Sequence, residues 1–377
     1  MSNIRCACYQ VYLRSVFDGS EVPGCDLSTT NIEEGNWTRT LNQTSTAYLK
    51  FPLPDLFCCE CAPQKWEHEL VIERETEGGG FEEVWSGPVT RTVEDRIFGT
   101  FEIFASDRSV LWFEQPYAQE RLVFPAGTDE GIVWATLIQM AEDCVQSGLL
   151  IRPTETGCPL TEDLVIEEGA EWTRALEELT SVHWAVVANQ LLGPAENLQG
   201  TTVQHRLATD IDWEDSGAVI DDDGAQTATH VTVRNAAPTV PGAMKGTWPP
   251  GPPRPSAGVG CHTLEVIDPK LTTQAELTAA ARMLYDQRKD GNRALVTSAG
   301  TLSRQTELCI DDLIPDRYVS VETNGTCNDF VEVKVIARVV ANFNLSTEGG
   351  RTCLQETRVA IDMIPPGGEA SSSRLSV

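Results

Sequence analysis

Twelve cysteines, five histidines and 56 acidic residues are the side chains of this 377-residue chain with the means for chemistry. The cysteines gather as Cys6 and Cys8, then Cys58, Cys59 and Cys61, with the rest dispersed. Structural zinc takes Cys-x2-4-Cys pairs, which the Cys-x-Cys spacing fits poorly. The same thiols form disulfides once a protein reaches an oxidising compartment. Cys327 and Cys353 bracket a strand-like run and can meet across it. Buried free thiols are the remaining option.

The histidines (His68, His183, His205, His230 and His262) are isolated in the sequence. Cys261 and His262 are adjacent in a proline-rich stretch, whereas a catalytic Cys–His pair is normally distant in sequence and close in space. Asp212, Glu214 and Asp223, with Ser216 between them and Gly217 at the sixth position, echo a twelve-residue calcium loop. That loop ends in glutamate, so the competing reading is an acidic surface turn. A glycosidase dyad is defined by a separation in space, so 56 acids single out no pair. The chain has no G-x-S-x-G elbow, no H-E-x-x-H, and no Walker or G-x-G-x-x-G loop. A non-enzymatic protein without cofactor or metal is expected.

The elements that must carry these residues are mostly strands. Leu70 and Ile72 alternate with Val71 and Glu73, and Phe101 and Ile103 with Glu102 and Phe104, the period of antiparallel strands. Gly78, Gly79 and Gly80 supply the positive φ of a hairpin, and Trp85-Ser86-Gly87-Pro88 is expected to break the run. After Gln115 the period becomes helical: Thr128 is the expected N-cap, and Leu137, Met140, Ala141 and Cys144 the expected buried face. A short helix carries Trp172, Leu176 and Leu179, and residues 183–194 are expected to turn at Asn189-Gln190. Residues 228–235 alternate cleanly, residues 238–260 form a proline-rich connection, and Thr273 with Glu276 has the spacing of a capping box. Four strand candidates follow, within 293–300, 308–322, 330–345 and 358–365.

Hydrophobic content of 41% and charged content of 22% are those of a globular protein that buries sizeable cores. No apolar run of about 18 residues spans a membrane, and MSNIRCACYQ lacks an apolar signal core. The sequons at Asn36, Asn42, Asn324 and Asn344 are then expected to be chance matches. The net charge of −28 repels phosphate backbones, which disfavours nucleic-acid binding. Its first reading is solubility, and the alternative is an acidic channel past which DNA slides.

Residues 37–54 (WTRTLNQTSTAYLKFPLP), 84–89 (VWSGPV) and 104–115 (FASDRSVLWFEQ) resemble the first domain of tail-hub proteins of long-tailed bacteriophages. The later helices, the segment LIPDRYVSV and the long final hairpin extend the resemblance thinly over most of the chain. It implies an α+β, mainly β fold: two tail-tube-like β-barrel domains, with α/β insertions and a proline-rich connection. The expected divisions are a first barrel over 1–125, an α+β insert over 126–200, and a β segment returning toward that barrel with the linker over 201–262. A C-terminal domain of one helix and a β-barrel follows over 263–366, and a disordered tail over 367–377. It further implies a structural virion protein at the tail tip, assembled in the host cytoplasm as a homotrimer. Its expected partners are the tail tube, distal tail and tip or fibre proteins, with DNA passing through the ring without specific binding. The alternative is a tail-tip protein that binds host-surface receptor or carbohydrate, its tryptophans stacking on sugar. Further behind stands a tail-associated cell-wall hydrolase.

Overall fold

The computed structural model describes residues 7–364 except 30, 54–62, 77, 115–116, 180, 199, 201, 209–210, 214–218, 224–227, 254–262, 270, 289–291, 297–299, 304–305, 307, 309, 324–329 and 349–350. The chain divides into two units, Met1–Gly217 with Ser298–Val377, and Ala218–Thr297.

The first unit opens with β1 (Cys8–Ser15), β2 (Glu21–Asp26), β3 (Glu34–Thr40), β4 (Thr46–Pro52), β5 (His68–Glu75), β6 (Phe81–Asp95) and β7 (Thr100–Ser106). Alternating apolar residues (Val11 and Leu13, Leu49 and Phe51) are fully buried, as period-two patterning requires. β5 departs from that pattern. Glu69, Leu70, Val71 and Ile72 are all buried, because the outward face is covered as well as the inward one. Nor does Trp85-Ser86-Gly87-Pro88 break the strand: β6 runs straight through it, with Pro88 opposite Glu69 of β5. Gly87 is required there because a Cβ would stand 1.9 Å from the carbonyl oxygen of Ser106. The glycine therefore marks a close approach of two backbones, not a turn.

The insert that follows holds a 3-10 turn (Arg108–Glu114), β8 (Leu122–Phe124), α1 (Glu130–Val145), β9 (Leu164–Ile166) and α2 (Thr173–Glu178). It ends in a hairpin of β10 (His183–Val187) and β11 (Gln190–Ala195). The N-cap of α1 is Asp129, not Thr128: its Oδ1 accepts from the Gly131 amide at 2.8 Å. The same carboxylate accepts from the Thr156 and Gly157 amides, so the cap also pins a distant loop. The buried face of α1 is Val133, Trp134, Leu137, Ile138 and Ala141, while Cys144 is exposed. Trp134 accounts for the rotation, packing against Trp112 and Trp184 with ring centroids 6.1 and 6.0 Å away. The hairpin turns at Ala188-Asn189, one residue earlier than expected, and both take positive φ. The side chain of Asn42 accepts from the Trp184 amide at 2.8 Å, tying the insert to the end of β3. β12 (His205–Ala208) follows.

The second unit contains β13 (Val219–Asp223), β14 (His230–Arg234), β15 (Lys245–Trp248), β16 (Thr263–Ile267), α3 (Gln274–Arg288) and β17 (Asn292–Val296). β14 lies between antiparallel β15 and parallel β16, and β13 pairs with β17. Val231 and Val233 pack against Leu277 and Ala281 of α3. The capping box forms as the spacing dictates, with Glu276 accepting from the Thr273 amide at 2.8 Å and Thr273 Oγ1 from the Glu276 amide at 3.3 Å.

The chain then contributes β18 (Gly300–Thr301), β19 (Tyr318–Thr323), β20 (Phe330–Glu348) and β21 (Arg351–Ile364) to the first unit. Residues 338–343 of β20 pair with β3 on one edge while residues 335–348 pair with β21 on the other. Cys8 and Tyr9 of β1 pair with Gln355 and Leu354 of β21. The ladder therefore closes, β20–β3–β4–β7–β6–β5–β1–β21–β20, into a ring of eight strands. Closure removes the free edges that such a sheet would otherwise expose. The other end of the β20–β21 hairpin carries β19 and then β12 on one side and β18 on the other. One hairpin of 19 and 14 residues thus belongs to both strand groups. The fold is α+β and mainly β, as expected.

Candidate functional site

The inward faces of four ring strands meet in a buried polar cluster: Tyr9 of β1, Arg39 of β3, Arg74 of β5 and Glu356 of β21. Register brings them together, since Tyr9 stands opposite Arg74, and Glu356 stands opposite Phe343. The Phe343 ring stacks on Tyr9 at 4.8 Å. The Tyr9 hydroxyl donates to Glu356 Oε2, and Arg74 Nε donates to the same oxygen at 3.2 Å. Burial pushes the Glu356 carboxyl up, with Arg74 and Tyr9 opposing it. Burial, then the Glu356 charge, raises the Tyr9 phenol well above its ordinary value.

Among the described residues Arg39 is the member with no such partner. Its Nη1 donates to the carbonyls of Ile310 and Leu313 at 3.0 and 3.3 Å, and its guanidinium lies 4.9 Å above the Trp37 ring. Among the described residues its Nε has no hydrogen-bond partner, although Arg39 is only 3% exposed. Burial pulls the guanidinium pKa down to about 10, against the opposing field of Asp311. Arg39 and Arg74 line a cavity of about 640 Å³, together with Glu75, Glu82, Glu83 and Asp311. Sequence patterning hid this site because a lone arginine in a β-strand is ordinarily an exposed one.

A second carboxylate, Glu69, is fully buried on the outward face of β5. Arg108 meets both its oxygens at 2.9 and 3.0 Å, and Arg14 donates to Oε2 at 2.9 Å. Asp107 accepts from the amides of Ser45 and Ser109 and from the Ser109 hydroxyl. Burial raises its carboxyl to about 6 in spite of those bonds. His183 Nδ1 approaches the buried Asp316 Oδ1 at 3.0 Å without the alignment of a hydrogen bond.

Of the cysteines singled out by spacing, Cys8 and Cys353 form a disulfide. Cys353 therefore does not pair with Cys327, which lies outside the described residues with Cys6, Cys58, Cys59 and Cys61. Asp212 turns its carboxylate onto the Ala208 amide at 2.7 Å, Glu214 lies outside the described residues, and Asp223 falls in β13 of the other unit. Among the described residues no group of three or more His, Cys, Asp or Glu side chains is placed to hold a metal. His205 stands 3.8 Å from Asp312 and 3.1 Å from Arg317, its ring pKa lowered by burial. Seven of the tryptophans are buried (Trp37, Trp85, Trp112, Trp134, Trp172, Trp184 and Trp213), which leaves Trp66 and Trp248 for any sugar. Trp248 is half-buried beneath Arg282, whose guanidinium lies 5.1 Å from its ring centroid. Among the described residues no helix is long and apolar enough to cross a membrane.

No protein-family model and no curated protein matches the chain. Solved structures do. The 43 kDa tail protein of prophage MuSo2 from Shewanella oneidensis is 15% identical with a TM-score of 0.53, over 95% of this chain and 99% of that one. The tail protein from Neisseria meningitidis MC58 is likewise 15% identical with a TM-score of 0.50, over 94% of this chain and 96% of that one. At such identity the likeness is one of fold. The chain is built on the fold of these tail proteins along nearly its whole length.

Proposed function

We propose that the chain is a structural component of a phage tail, the hub at its tip, assembled as a homotrimeric ring. The carrying observation is the closed eight-strand ring sharing its β20–β21 hairpin with a second strand group, within a fold common to tail proteins. Each chain then offers two strand modules, and three chains offer six to match a sixfold tail tube above and threefold tip proteins below. Cyclic symmetry closes such contacts into a ring rather than a filament. The −28 charge keeps DNA from adhering as it passes during ejection. The partners on this reading are the tube and distal-tail proteins on one side and tip or fibre proteins on the other.

Light scattering coupled to size exclusion, at low and physiological salt, tests the assembly. The expected result is a trimer strengthened by salt, which screens repulsion between acidic chains over about 8 Å at 0.15 M. A chain that stays monomeric at high concentration and fails to enter tails sinks the proposal. Host-surface binding through tryptophan stacking has little to work with, given the burial of all but Trp66 and Trp248. Clearing of bacterial wall material in a zymogram would turn the reading towards a hydrolase.

A further inference from the structure

We propose that the mouth of the ring is a carboxylate-binding site, in which the incoming group pairs with the Arg39 guanidinium. The cavity there, about 640 Å³, falls in the range of roughly 300–1,000 Å³ typical of ligand clefts. Its lining holds the two buried arginines with Glu75, Glu82, Glu83 and Asp311, of which Glu83 pairs with Arg14 and Glu75 accepts from the Cys8 amide. Glu356 neutralises Arg74 at 3.2 Å, while among the described residues Arg39 has no ion pair and only the field of the exposed Asp311 favours its charge. Among the described residues the hydrogen bonds of Arg39 go only to the neutral carbonyls of Ile310 and Leu313, and Nε has no partner. A buried charge of this kind is costly until a counter-ion meets it, and the planar guanidinium suits the two oxygens of a carboxylate. The lowered pKa of Arg39 is the same cost expressed as proton affinity.

The rim selects among anions. Glu82 and Asp311 are exposed at the cavity, where they repel a doubly charged phosphate more than a singly charged carboxylate. The carboxylate is either a free small acid or an acidic side chain of a second copy of this chain, and the test separates the two. The inference does not depend on the hub reading.

The experiment titrates the full chain with sodium acetate against sodium chloride at constant ionic strength, following heat of binding and thermal midpoint. Saturable binding is expected, weakened at least about tenfold in Arg39→Gln, which loses the charged pair. Asp311→Asn and Glu82→Gln change exposed side chains, fold normally, and should bind acetate several-fold more tightly. They keep the test decisive if Arg39→Gln does not fold. Light scattering gives the source. Acetate that dissociates the assembly points to a second copy's side chain, and binding without dissociation points to a free acid. The proposal is overturned if acetate changes neither stability nor self-association in the native chain and in Asp311→Asn. It is equally overturned if inorganic phosphate binds more tightly than acetate, or if a folded Arg39→Gln binds as the native chain does.

Discussion

Cys8 in the first strand and Cys353 in the last are joined by a disulfide, their Cα atoms 5.7 Å apart across a sequence separation of 345 residues. The bond sits where the ring is least well sewn. Among the described residues β1 and β21 share the pairs Cys8–Gln355 and Tyr9–Leu354, whereas β1 and β5 are paired along seven positions. A long closed loop restricts the unfolded chain strongly, so the cross-link acts on the same seam from both states.

Replacing Cys353 with Ser should therefore cost ~2–5 kcal/mol. Chemical denaturation with and without reductant measures it: the native chain should lose stability on reduction, and the variant should show no such sensitivity. Equal midpoints for the oxidised native chain and the variant would count against the bond.

Asp107 predicts a pH dependence of definite sign. Its folded-state carboxyl is raised by burial to about 6, from 3.8. A raised acid favours the protonated fold, so its contribution is fully present below about 4 and is lost as pH rises through about 6. The span amounts to on the order of 3 kcal/mol. Urea denaturation of the native chain and Asp107→Asn at several pH values between those limits isolates it. The advantage of the native chain over the variant should shrink as pH rises, and an advantage that grows would refute the assignment.

Glu69 predicts a loss that charge counting on a surface would not. Its carboxylate is fully buried and shared by Arg14 and Arg108. Glu69→Gln leaves Arg108 without its counter-charge and Arg14 with Glu83 alone, for an expected cost of ~3–5 kcal/mol. The denaturation midpoint should fall accordingly, and Arg108→Met should partly restore stability when combined with it. A midpoint unchanged in Glu69→Gln would show that the two arginines find solvent instead.

Local elements were legible wherever one side chain answers to its neighbours in sequence. Thr273 and Glu276 form their capping box, and the alternation in residues 228–235 gives the β14 strand. Two of the errors share one cause, a partner remote in sequence. Gly87 is there for Ser106, and Cys144 is turned outward because Trp134 packs against Trp112 and Trp184.

What the sequence determined by itself is the mainly β class, the alternating strands and the capping box that starts α3, because period and caps act over a few residues. Only the tertiary structure decided that β20 reaches back to β3 and β21 to β1, closing the ring. Only it brought Tyr9, Arg39, Arg74 and Glu356 into one buried cluster. Pairing between strands some 300 residues apart leaves no local periodicity. Each edge hydrogen-bonds to any strand of matching length, and burial of the whole core selects among them.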